Sequence, residues 1–99
     1  MKFIIGWLTF KPGLRDDLLA AMQPLVQQIR AEEGCLFFEF NPKIDDPDTG
    51  VLAECFTTDA AHRWHKQTPH MQQLFALLGP AIASSDVKVH FADELLEDV

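Results

Sequence analysis

Basic charge is scarce in this chain: eight Lys and Arg stand against 15 Asp and Glu, a formal net charge of −7 over 99 residues. That balance opposes attraction to phosphate backbones and anionic lipid heads, which excludes nucleic acid and the membrane surface as partners. Cysteine is equally sparse. Cys35 and Cys55 are the only two and form no CxxC, so neither a disulfide framework nor a zinc site is expected, and both read as reduced core residues. No apolar run approaches the ~18–20 residues of a membrane span, and Lys2 is followed by only a few apolar residues before Thr9-Phe10-Lys11. The expected location is cytoplasmic.

Several reactive motifs are missing too. The glycines at 6, 13, 34, 50 and 79 are scattered, so no phosphate-cradling loop exists. There is no GxSxG elbow, no Cys–His nucleophile signature and no HExxH. Asp45-Asp46-Pro47-Asp48 lacks the glycine and terminal glutamate of a calcium loop and reads as a solvated turn.

What is present has ordinary globular proportions, 47% apolar and 23% charged, and the length fits a single domain over 1–99. KFIIGWLTF is rich in strand formers and ends at Lys11-Pro12-Gly13, predicting a first strand over 2–10. Leu18, Met22, Leu25 with Val26, and Ile29 recur at helical spacing, with an irregularity expected near Ala20–Pro24 because proline removes a helical N–H. Gly34 caps that helix. CLFFEF and VLAECF predict strands over 35–40 and 51–56, joined by a loop. Thr57-Thr58-Asp59 offers side-chain oxygens to start a short helix over roughly 59–66; Thr68-Pro69 starts another, with Met71, Leu74, Phe75 and Leu78 as its apolar stripe and Gly79-Pro80 as its stop. A linker leads to a fourth strand, VKVHF, over 87–91, and then an acidic tail.

The order βαββαβ predicts a ferredoxin-like α+β fold, a four-stranded antiparallel sheet with helices on one face. The strands, however, are apolar on both faces: Phe3, Ile5 and Trp7 oppose Ile4, Leu8 and Phe10, and Leu36, Phe38 and Phe40 oppose Cys35 and Phe37. Helices cover one face, so a second copy is expected on the other, giving a homodimer; the alternative cover is the acidic C-terminal segment.

EEGCLFFEF, then IDDPDTGVLAECFTTDAAHRWHKQTPHMQQLFALLGP, together with the opening strand and Lys-Pro-Gly, resemble the antibiotic biosynthesis monooxygenase family over nearly the whole chain. The resemblance implies a dimeric ferredoxin-like protein, of the dimeric α/β-barrel type, that oxidises a small quinol or phenol with O₂ and needs no flavin, metal or haem. HKQTPH and EEG are also similar to the branch that isomerises a hydroxy-ketone phosphate of autoinducer-2 breakdown, and a noncatalytic dimeric binding module is a third reading. Two positions depart from the family: Glu54-Cys55-Phe56 stands where a Glu-x-Trp is common, and GWLTF lacks the asparagine of the haem-degrading branch.

Glu54 and Phe56 share a strand face with Leu52. A carboxylate among apolar neighbours is either a proton acceptor or a structural hydrogen-bonding group, and His65 is its expected partner. His62 and His65, three apart, could chelate a metal, but no third ligand is placed by the sequence and no metal is expected; His62 is expected to face solvent. His70 stands at a helix start, where a neutral imidazole could donate to a substrate oxygen. The candidate catalytic residues are therefore His65, Glu54 and His70. Trp7, Phe37, Phe56, Trp64 and Phe75 are the candidate walls of an apolar cavity between sheet and helices, with Asn41 as a polar contact. For the isomerase alternative, Lys66 and Lys43 are the basic residues that could meet a phosphate.

Overall fold

Lys11-Pro12-Gly13 ends the first strand, β1 (Lys2–Phe10), because Gly13 takes φ +80°, a conformation that side chains resist. The helix α1 (Arg15–Arg30) follows, then β2 (Cys35–Pro42), β3 (Thr49–Phe56), α2 (Asp59–Lys66), α3 (Pro69–Leu78), a single 3-10 turn (Gly79–Ala81) and β4 (Ile82–Phe91). This computed structural model describes residues 1–91; the acidic segment 93–99, and any cover it provides, lies outside them. The sheet order is β2-β3-β1-β4 with every neighbour antiparallel, so the predicted ferredoxin-like α+β fold is the one observed.

α1 runs through Pro24 as one helix. Its buried side carries Met22, Leu25, Val26 and Ile29, while Pro24 and Ala20, whose carbonyl loses its N–H partner, both lie on the exposed side where water can take over. The helix closes at Ala31, and Gly34 at φ +87° turns the chain back into β2. A Cβ at Gly34 would stand 2.8 Å from the Ala61 methyl, so the turn also lets the start of α2 approach. Thr58 caps α2 by accepting from Ala61 N–H at 3.0 Å. Lys2 Nζ reaches Asp59 Oδ1 at 2.6 Å, and that bond, with Arg63 after it, holds the Asp59 carboxyl below its ordinary value. Thr68 caps α3 with Pro69 in its first turn, as predicted.

Three local expectations are corrected. β4 begins at Ile82, not 87, because Ser84, Ser85 and Asp86 pair with β1 through the backbone despite weak strand propensity. Leu36 does not share a face with Phe38 and Phe40: the register of β2 on β3 slips between Cys35 and Phe37, leaving Leu36 as the unpaired residue of a bulge and half-exposed. Phe75 leaves the buried stripe of α3, where Met71, Leu74 and Leu78 remain. The register then sorts the side chains. Ile4 pairs with Glu54, Glu54 with Phe38, and Gly6 with Leu52, on the face the helices cover. Trp7 pairs with Val51, Phe3 with Cys55, Phe37 with Cys55 and Asn41 with Val51, on the face they do not.

Candidate functional site

The helix-covered face of the sheet does not pack solidly. Between it and the helices α1 and α3 lies a cavity of about 410 Å³, within the size range of small-molecule sites. Ile4, Leu8, Phe38, Phe40 and Leu52 form its sheet side, and Met22, Met71, Leu74 and Leu78 its helix side. Half-exposed Phe75, Val87 and Val89, together with Lys66, also line it. Among the described residues, the polar side chains on these apolar walls are Lys66, Glu54, His62 and His65.

His65 is held from behind. Its Nδ1 lies 2.8 and 2.9 Å from the two oxygens of Glu32, and Glu32 Oε2 lies 2.6 Å from His70 Nε2. The side chains of Glu32 and His65 are almost wholly enclosed, at 2% and 1% exposure. A carboxylate only accepts, so both imidazoles present N–H to it, and the remaining nitrogen of His65, Nε2, is free to accept. Thr68 fastens the joint: its hydroxyl donates to the His65 carbonyl at 2.8 Å and accepts from Met71 N–H at 3.3 Å. The Thr-Pro step thereby ends α2, opens α3 and fixes the backbone between His65 and His70.

Glu32 reaches this position because the turn after α1 is tight, with Glu32 N–H on the Ile29 carbonyl at 3.0 Å and Cys35 N–H on the Glu32 carbonyl at 3.2 Å. The Cys35 thiol is pushed up to about 11, by burial first and then by the charges of Glu32 and Glu54, so it is no nucleophile at neutral pH. Glu32, His65 and His70 are also a set of donors that could hold a metal ion, all within 4.8 Å of one another. Their contacts of 2.6 to 2.9 Å are hydrogen-bond lengths. A metal with bonds of about 2.0–2.2 Å would replace the bridging protons and spread the three donors apart.

The structure redistributes the residues singled out in the sequence. His65 faces Glu32 and not Glu54. His62 is not solvent-facing: it is buried, and its Nε2 lies 3.4 Å from Glu54 Oε1. His70 opens α3 as expected, but its ring is committed to Glu32 and is not part of the cavity wall. Phe56 is fully buried behind the two histidines, its ring centroid 5.0 Å from His62 and 4.8 Å from His65, and supports them without lining the cavity. Phe75 does line it. Trp64 points outward beside Gly34, Thr58 and Ala61, and Trp7, Phe37 and Asn41 lie on the opposite face of the sheet, so these four are not walls of this cavity. Lys43 is paired with Asp45 in the β2–β3 loop, away from it. Glu32 is the residue that sequence reasoning missed, although its position, three after Ile29, continues the buried stripe of α1 into the turn just past the helix end.

The family profile described as antibiotic biosynthesis monooxygenase matches residues 1–77. The chain belongs to that family. Among similar proteins is the Bacillus subtilis protein named "Putative monooxygenase YcnE", 32% identical over 89 residues, which cover 90% of this chain and 93% of that one. Two solved structures share the fold. One, titled "Putative antibiotic biosynthesis monooxygenase from Nitrosomonas europaea", has a TM-score of 0.86 at 21% identity, covering 95% of this chain and 100% of its own. The other, titled as an antibiotic biosynthesis monooxygenase, has a TM-score of 0.84 at 26% identity with the same coverage. No helix among the described residues is long and apolar enough to cross a membrane.

Proposed function

We propose that the chain is a cofactor-independent monooxygenase that oxidises a small phenol or quinol with O₂. The observation that carries this reading is His65, oriented by Glu32, on the wall of an apolar cavity of aromatic-ligand size. His65 Nε2 takes the proton of an aromatic hydroxyl, and the imidazolium that forms is stabilised by the carboxylate behind it. The electron-rich anion gives one electron to O₂, the radical pair joins at a ring carbon bearing hydrogen, the peroxide takes the proton back from the imidazolium, and the hydroperoxide eliminates water made of its outer OH and that ring hydrogen. The organic substrate supplies all four electrons that reduce O₂. Naphthalene-1,4-diol plus O₂ then gives hydroxynaphthoquinone plus water, with no external reductant. Apolar walls exclude water from the anion.

A base catalyst of this kind contributes roughly 10²–10⁴ in rate. O₂ uptake with naphthalene-1,4-diol, corrected for autoxidation, tests the proposal: uptake faster than the protein-free rate is expected, and equal rates would overturn it. The isomerase alternative is less well served. Among the described residues Lys66 is the one cation on the cavity wall, and Glu54 on the same wall repels a phosphate.

The sheet face that no described element covers supports a homodimer. Ile5 and Trp7 are 41% and 38% exposed there, beside Phe3 and Phe37, whose ring centroids lie 6.4 Å apart. Two such faces stacked at about 10 Å would bury both sets. Sedimentation equilibrium at micromolar concentration is expected to give a dimer, weakened about 30-fold or more by Trp7→Glu, the scale of a buried tryptophan anchor. A wild-type monomer at that concentration removes the claim.

A further inference from the structure

Glu54 and His62 form a second carboxylate–imidazole pair in the cavity, and neither is satisfied. Glu54 is 6% exposed and makes no hydrogen bond among the described residues; His62 Nε2 lies 3.4 Å from its Oε1, longer than a good hydrogen bond. His62 is 8% exposed, and its Nδ1 is buried with no hydrogen-bond partner among the described residues. Folding does not explain such a pair, because a buried carboxylate without hydrogen bonds costs stability and an apolar residue in its place would not. The orphaned Nδ1 fixes the tautomer. A proton there would be a buried, unpaired N–H, so the neutral ring carries its proton on Nε2 and presents it towards Glu54.

The polar end of the cavity therefore holds two separate unfilled acceptors, the Glu54 carboxylate and His65 Nε2. The His62 ring stands between them, 3.4 Å from Glu54 and stacked on His65 at 5.8 Å between centroids. We propose that Glu54 is a substrate-binding group that accepts a hydrogen bond from a second hydroxyl of the ligand, with His62 as its positioning residue, so that the preferred ligand class is a dihydric aromatic. This rests on the reading of the cavity as a phenol or quinol site. A ligand bearing one hydroxyl fills one acceptor and leaves the other buried and unpaired; an anionic ligand meets the Glu54 charge. A quinone, which only accepts, satisfies neither.

Anaerobic calorimetry on the whole chain separates these cases. The probes are naphthalene-1,2-diol and naphthalene-1,4-diol, each paired with its monomethyl ether. The better diol is expected to bind about tenfold or more tighter than its ether, the scale of a hydrogen bond to a charged group. Glu54→Leu is expected to narrow that gap to about threefold or less while leaving ether affinity and thermal midpoint unchanged or raised. His62→Leu, which leaves the carboxylate in place but unpositioned, narrows the gap by part of that amount. Glu54→Gln serves as the second variant should the leucine form misfold. The proposal is overturned if neither diol outbinds its ether in the wild type, if neither binds, or if both Glu54 variants lower the melting point and weaken diol and ether alike. Because binding is read without O₂, a protein that shows the Glu54-dependent gap but no oxygen uptake refutes only the monooxygenase reading. Oxygen uptake with a gap indifferent to Glu54 refutes only this one.

Discussion

Glu32→Leu is expected to destabilise the fold by about 3–5 kcal/mol, a cost typical of removing one partner from a buried charged network. Among the described residues, the Glu32 side chain, just past the end of α1, is the one hydrogen-bonded to both His65 at the end of α2 and His70 at the start of α3. Without it two imidazole N–H groups are left in the interior, and each unsatisfied group costs about 1–3 kcal/mol. In a domain of this size, where total stability is of order 5–15 kcal/mol, that loss moves the thermal midpoint by roughly 15 °C or more. Glu32→Gln keeps one acceptor and should lose less. Replacing Glu32, His65 and His70 together with leucine should recover most of the loss, because no polar group then remains unpaired. Urea denaturation of the four proteins reads the differences directly; a Glu32→Leu midpoint close to wild type would show that the triad does not join the helices.

His65→Gln is expected to lower the rate of quinol oxidation by roughly 10²–10⁴ while leaving a folded protein, since glutamine can still meet Glu32 but cannot take a proton. His70→Gln tests the distinction between touching the substrate and holding the base. His70 reaches Glu32 but not the cavity wall, so its removal should cost about tenfold or less, through the orientation of His65. Equal losses for the two variants would place them in the same role.

Much of this architecture is legible in the chain because it is local. β1 ends at its Lys-Pro-Gly, α2 occupies 59–66, and Thr68-Pro69 restarts the helix, all through turn and cap chemistry that neighbouring residues decide. The faces are another matter. Phe3, Ile5 and Trp7 alternate with Ile4, Leu8 and Phe10, and both sets are apolar, so periodicity shows two buried faces without saying which one the helices cover. That is why Trp7, Phe37 and Asn41 are expected on the cavity and stand behind it. α2 poses the same ambiguity: a tryptophan is expected inside and a histidine outside, yet Trp64 is exposed and His62 buried, because the floor beneath α2 offers Glu54 and Phe56 for an imidazole to meet. Which carboxylate serves which histidine is a tertiary fact. Helical phase, carried one step past the end of α1, does point Glu32 inward, and a glutamate in that position is the one sequence signal of the triad.

As proposed, the cavity, with His65 as base, inserts one atom of O₂ into an aromatic substrate without help from a cofactor. Turnover of naphthalene-1,4-diol under ¹⁸O₂, with the protein dialysed against a chelator, tests it most directly. One labelled oxygen is expected in the hydroxynaphthoquinone and the other in water, at a rate that collapses in His65→Gln. Unlabelled naphthoquinone with hydrogen peroxide, or a product rate no faster than the protein-free control, would contradict it.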